Sequence, residues 1–253
     1  MGLVAGTGLR YQWSARNGSA RRRQRLMSAP DTVHLDRRPR LVANISRYIL
    51  SRAEGRSVLN VGAAGGVATY LPDRRELWLH HRLAGAAREL VGIDIDADAI
   101  AHAARHGVEI VAADCEEMAL GRRFEVIVMS DVIEHLDRPG QALQVLMRHL
   151  APGGRLIVTT PNPTYAGTLA RALLNRRLNV YHDHVAAFLP EHLAAACNRH
   201  GWRLAELGFF GNLDRRSPGL RLKSALMVAL GRLAPRLSGW FVAVIEAPAG
   251  GES

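Results

Sequence analysis

A short, mostly apolar run, Ser57-Val58-Leu59-Asn60-Val61, passes without a break into Gly62-Ala63-Ala64-Gly65-Gly66. Five residues are too few for a helix, and β-branched enrichment beside a glycine cluster marks a buried strand feeding a tight turn. Small residues let such a turn take positive φ and let a ligand approach the backbone. The same beat recurs along the chain. Short apolar runs fall at 90–95, 109–112, 124–129, 155–160, 202–209 and 240–246, and helical stretches at 40–53, 73–87, 97–106, 140–150 and 191–200. Strands covered by helices on both faces lose polar alternation, as these do. The pattern predicts a doubly wound α/β fold, with a mostly parallel seven-stranded sheet and helices on both faces.

Composition narrows the field. The 253 residues carry a net charge of +10, which invites a polyanion-binding reading. However, residues 1–30 hold six arginines and no acid, leaving about +4 for the remainder. This stretch lacks apolar periodicity and is expected to be a disordered basic leader, with Met27 an alternative start; residues 31–253 are expected to form one domain. The core that binds a cofactor should span about 40–162, and the acceptor-side elements and last strands about 163–248. Aromatic residues make up 6% of the chain, and no RNA-binding module is visible, which argues against nucleic acid as partner. Cys115 and Cys197 sit in no metal-binding cluster, so a reducing compartment fits. With no apolar run near 18 residues, a cytoplasmic location is expected.

The glycine turn does not match the dinucleotide fingerprint: Ala64 and Val67 stand where its second and third glycines belong. This weighs against an NAD-dependent oxidoreductase. VLNVGAAGG instead resembles the first motif of class I S-adenosylmethionine-dependent methyltransferases, a Rossmann-like fold, with Asn60 in place of the usual acid and Ala64 in place of a glycine. Later motifs arrive in that family's order. Asp94 and Ile95 close the second strand, where an acid is placed to accept ribose hydroxyls. Asp96 and Asp98 read as cap and first-turn charges of the next helix. Asp114 and Cys115 follow the third strand, at the family's adenine-contacting position. Ser130-Asp131-Val132-Ile133-Glu134-His135-Leu136 follows the fourth, and Leu150-Ala151-Pro152-Gly153-Gly154 precedes the fifth. This combination is similar to the subgroup of ubiquinone-biosynthesis-type O-methyltransferases. The resemblance implies S-adenosyl-L-methionine as cofactor, bound by Asn60, Gly62, Ala63, Ala64, Gly66, Asp94, Ile95, Asp114, Cys115 and Ser130. Gly66 to Asp94 is longer than a minimal strand-helix-strand unit, and a short insertion near Trp78–His81 is expected.

The implied activity is methyl transfer to a small-molecule, saccharide or lipid-linked acceptor, with oxygen as the acceptor atom that the resemblance to this subgroup implies and RNA as the alternative substrate. An oxygen acceptor must lose a proton, and His135 and His184 are the candidate bases. Some relatives bind a divalent metal through E-x-x-E-H and a later histidine. The corresponding residues here are Asp131, Glu134, His135 and His182 or His184, although the same Glu-His pair also serves without metal and none is assigned. Residues 215–237 alternate leucines with Arg221, Lys223, Arg232 and Arg236, with prolines limiting a helix to about 16 residues. They read first as a helix over the acceptor pocket, and second as a basic amphipathic helix in weak contact with a membrane surface.

Overall fold

The computed structural model describes residues 35, 39–211 and 217–247. The expected leader, 1–30, lies outside the described residues. Strands are β1 (Arg40–Leu41), β2 (Ser57–Val61), β3 (Glu89–Asp94), β4 (Val111–Ala112), β5 (Phe124–Ser130), β6 (Leu150–Pro161), β7 (Arg203–Phe210) and β8 (Trp240–Glu246). Helices are α1 (Ile45–Ala53), α2 (Val67–Tyr70), α3 (Leu79–Ala86), α4 (Ala97–Arg105), α5 (Pro139–Arg148), α6 (Ala166–Leu173), α7 (Pro190–His200) and α8 (Pro218–Leu233).

The sheet runs β1-β7-β8-β6-β5-β2-β3-β4. Every pairing is parallel except those of β8, which is antiparallel to both β6 and β7. Among the described residues it has eight strands where seven were expected. The addition is β1, two residues read from sequence as helix, which pair with Gly208 and Phe209 at the edge of β7. Asn44 then caps α1 by accepting from the Arg47 N–H, so the helix starts five residues after β1 begins.

Both sheet faces are covered, and the strands show why alternation was missing. In β2, Leu59 and Val61 join one core cluster and Val58 the other; in β8, Phe241, Ala243 and Ile245 face one way, Val242 and Val244 the other. α5 and α7 cover the first face with Leu143, Leu146, Leu193 and Cys197. α1 and α3 cover the second with Ile49, Ala53 and Leu83. A third, smaller cluster of Ala63, Ala64, Val67, Trp78, Ala103 and Ile110 lies under the glycine turn.

The long helix expected over 73–87 is divided into a single 3-10 turn at Arg75–Leu77 and α3, and the short α2 precedes it. Trp78–His81, where a short insertion was expected, forms the entry to α3, and Trp78 and His80 are buried. From β2 the chain builds outward through β3 and β4, then returns to place β5 on the other side of β2. The strand order therefore reverses between β2 and β5, and crevices at such switch points are where open α/β sheets bind ligands.

Candidate functional site

A cleft of about 820 Å³ opens at the carboxyl ends of β2, β3 and β5. That is within the range of small-molecule sites. At its centre, Gly62 leaves β2 with φ +71°, and a Cβ there would stand 2.5 Å from Val132 Cγ2. Gly66 closes the turn at φ +68°. Both positions thus require glycine for its backbone freedom, and Gly62 also for its lack of a side chain. The turn is held from below: the Ala63 N–H donates to Ile93 O, the Ala64 N–H to Asp94 Oδ2 at 2.8 Å, and Trp78 Nε1 to Ala63 O. Asp94 also accepts from the N–H groups of Ile95 and Asp96, which fixes its carboxylate at the end of β3. Asp96 caps α4 by accepting from Asp98 and Ala99 N–H groups, as expected from sequence.

Asn60, the penultimate residue of β2, is buried against His80, and Asn60 Nδ2 lies 3.2 Å from His80 Nδ1. An amide nitrogen can only donate, so the ring nitrogen accepts and His80 is neutral. Burial, with the neighbouring His81 charge, pushes the His80 pKa down to about 4. Gly92 makes room for that ring, since a Cβ there would be 2.5 Å from His80 Cε1.

Of the sequence-derived cofactor residues, Asn60, Gly62, Ala63, Gly66, Asp94, Ile95, Asp114, Cys115 and Ser130 line the cleft together. Ala64 lines an adjoining hollow with Val67, Asp98 and His102, which shares Gly65, Gly66, Asp94 and Asp96 with the cleft, and its N–H donates to Asp94. Asp114 turns the chain after β4 by accepting from the Glu116 N–H. Burial pushes the Cys115 thiol up to about 12, which leaves it an uncharged wall. Tyr70, Trp78, His80, Arg138 and Asp183 also line the cleft and were not found from sequence. The only sequence sign of Trp78 and His80 was the long interval between Gly66 and Asp94.

The fourth-strand motif builds the cleft's far wall. Asp131 is one of two described non-glycine residues at positive φ, +53°, an uncommon conformation for such residues and one that clusters at functional sites. Burial first, and the Glu134 carboxylate second, raise its pKa to about 6. Glu134 is buried; Thr160 Oγ1 donates to its Oε2, while its Oε1 has no partner. Burial raises this carboxyl's pKa too. The Glu134 carbonyl accepts from the N–H groups of Val185 and Ala186 at 2.9 and 3.1 Å, which pins the 181–186 loop onto the motif. That loop brings His184 edge-on to His135, ring centroids 4.7 Å apart. His135 Nδ1 faces the Asp183 carbonyl and carboxylate at 3.1 and 3.3 Å. Both are acceptors, so Nδ1 is the ring nitrogen that donates to Asp183.

Among the described residues, Glu134, His135 and His184 offer ligand atoms that all lie within 4.8 Å of one another. Carboxylate with imidazole suits manganese, magnesium or zinc, and the unpartnered Glu134 Oε1 fits that donor role. Asp131 and His182, also named from sequence, are not part of this cluster. His184 does not line the large cleft. It lines a second cavity of about 410 Å³ with Tyr165, Asn179, Lys223, Met227 and Trp240. The two histidines thus sit between the two cavities, His135 on the first and His184 on the second.

A mostly parallel sheet with one antiparallel strand, a glycine turn at its switch point and acids at the ends of β3 and β4 define a Rossmann-like nucleoside-cofactor fold. Comparison with known proteins makes the class specific. The methyltransferase domain family matches residues 33–207, and the chain belongs to that S-adenosylmethionine-dependent family. It is 26% identical over 166 residues to a ubiquinone biosynthesis O-methyltransferase of Aromatoleum aromaticum, covering 60% of this chain and 66% of that protein. A SAM-dependent methyltransferase from Archaeoglobus fulgidus shares the fold with TM-score 0.53 and 20% identity, over 80% of this chain and 91% of that one. The [4+2]-cyclase SpnF shares it equally well, TM-score 0.53 at 17% identity over 81% and 80% of the chains. The same architecture therefore carries more than one chemistry, and activity has to be argued from the site.

Proposed function

We propose that this protein transfers the methyl group of S-adenosylmethionine to an oxygen atom of a small-molecule, saccharide or lipid-linked acceptor. The observation that carries the reading is the histidine pair set between two cavities, with His135 oriented by Asp183. In it, the 62–66 turn, Asp94 and Asp114 hold the cofactor in the larger cleft, which has the size and the small-residue floor to receive it. The bound cofactor supplies an electrophilic methyl on a sulfonium. The chain's own task is to place the acceptor oxygen in line and remove its proton. His135 Nε2 takes that proton, Asp183 steadies the resulting imidazolium, and His184 lines the acceptor's cavity. Relatives named as O-methyltransferases support oxygen as the acceptor atom.

His135→Ala should lower kcat by roughly 10²- to 10⁴-fold, the usual worth of a positioned base, with cofactor affinity retained. Methyl-labelled cofactor incubated with fractionated cell extract identifies the acceptor, and calorimetry reads the affinity. Equal loss of turnover and cofactor affinity would count against the base role.

The Glu134-His135-His184 cluster favours a second reading, in which these three donors hold a divalent cation that supplies Lewis acidity to the acceptor hydroxyl. Titration of the protein with manganese or zinc, read by calorimetry, separates the two: Glu134→Gln and His184→Ala would abolish saturable binding only in the second.

A further inference from the structure

α6 has no buried residue, and α8 buries only Gly231. Eleven of the fourteen large hydrophobic side chains exposed among the described residues fall on α6, the loop after it, and α8. On α8, Leu222, Ala225, Leu226, Ala229 and Leu233 follow one another at three- and four-residue spacing and are all exposed, the leucines at 65%, 58% and 87%. This is an unbroken apolar stripe turned to solvent. The opposite side of the helix, with Ser224, Met227 and Val228, lines the second cavity. The facing wall of that cavity comes from Tyr165, Thr168, Asn179 and Tyr181, so the two segments meet across it. The α6 side adds Leu169, Leu173, Leu174, Leu178 and Val180 to the exposed set. Soluble monomers rarely show apolar patches of this extent without a partner.

Charge identifies the partner. Residues 166–185 and 217–237 carry seven arginines and lysines, of which Arg236 is paired with Glu191, and one acid, Asp183. A second copy of this chain seated on the patch through a two-fold axis would set these cations against their own equivalents. Nucleic acid would satisfy the charge but leave the leucines in water, and Tyr181 is the sole aromatic side chain in the exposed set. An anionic lipid surface satisfies both: acyl chains receive the stripe, and headgroups face the arginines. We infer that α8, α6 and the 174–185 loop form a platform by which this protein docks on an anionic membrane surface. No helix among the described residues is long and apolar enough to cross a membrane, so the platform lies in the interface. The docking inference does not depend on the chemistry. Where methyl transfer holds, as proposed above, an acceptor with an apolar tail would reach His184 from the lipid side.

The test is flotation of the full chain with phosphatidylglycerol-containing and pure phosphatidylcholine vesicles, without cofactor or acceptor, so its outcome is separate from that of the catalytic reading. The expected result is cofloatation with the anionic vesicles, reduced at least tenfold in the Leu222→Gln/Leu226→Gln/Leu233→Gln variant. These side chains are exposed, so the variant's melting temperature should match that of the native chain, and an unchanged melt certifies its fold. Undiminished flotation of the variant would overturn the inference by assigning binding to charge elsewhere, such as residues 1–30. It is overturned equally if the same variant loses self-association or RNA binding while neither protein floats.

Discussion

Asn60 stands where relatives of this fold usually carry an acid, and His80 shows what that exchange achieves. The buried amide donates to an imidazole that burial keeps neutral, whereas a carboxylate at the same place would draw a proton onto the ring. Asn60→Asp should therefore raise the His80 pKa, read by NMR titration of the ring protons. The pair also makes stability depend on pH. The folded pKa, about 4, lies below the ordinary histidine value of 6.5, so the unfolded chain binds the proton first. The contribution is complete above pH 6.5 and is lost as pH falls toward 4, by up to ~3 kcal/mol. Urea unfolding between pH 7 and 4 should show a steeper fall for the native chain than for His80→Gln.

At the scale of an element, the turn from β2 to α2 depends on both conformation and space. Gly62 and Gly107 have nearly the same positive φ, +71° and +75°, yet a Cβ on Gly107 meets nothing within 4 Å while one on Gly62 meets Val132. Gly107→Ala should cost about 1 kcal/mol from backbone strain, and Gly62→Ala about 2–4 kcal/mol because overpacking is added. Urea midpoints give the comparison. Cofactor affinity should fall for Gly62→Ala only, since Gly107 lies outside the cleft. Much at this scale was legible in the chain: apolar runs at 57–61, 124–129 and 240–246 became β2, β5 and β8 with small shifts at their ends. β1 was not, because two residues carry no period, and their strand character comes from the β7 edge they pair with. Nor was the division of 73–87, where the entry of Trp78 beneath the glycine turn takes precedence over helical spacing.

For the whole molecule, the net charge of +10 is unevenly held: six arginines lie in residues 1–30, and seven cations belong to the α6 and α8 segments. Removing residues 1–30 should lower the salt needed to elute the protein from heparin and leave cofactor affinity unchanged, because every described cleft residue lies beyond them.

The amino-acid sequence was sufficient for seven of the eight described strands, for α1, α4, α5, α7 and α8, for the switch-point turn and for the acids after β3 and β4. Those depend on local periodicity, on glycine's freedom and on spacing along one chain. Three things were decided by tertiary structure alone. Asn60 and His80, twenty residues apart, meet only because Gly92 leaves room between them. His135 and His184 meet because the Glu134 carbonyl anchors a distant loop. The leucines of α8 divide into cavity wall and open stripe only when the sheet and α6 have taken their places. Periodicity says that a helix has an apolar side; which part of that side stays uncovered depends on the elements that pack against it.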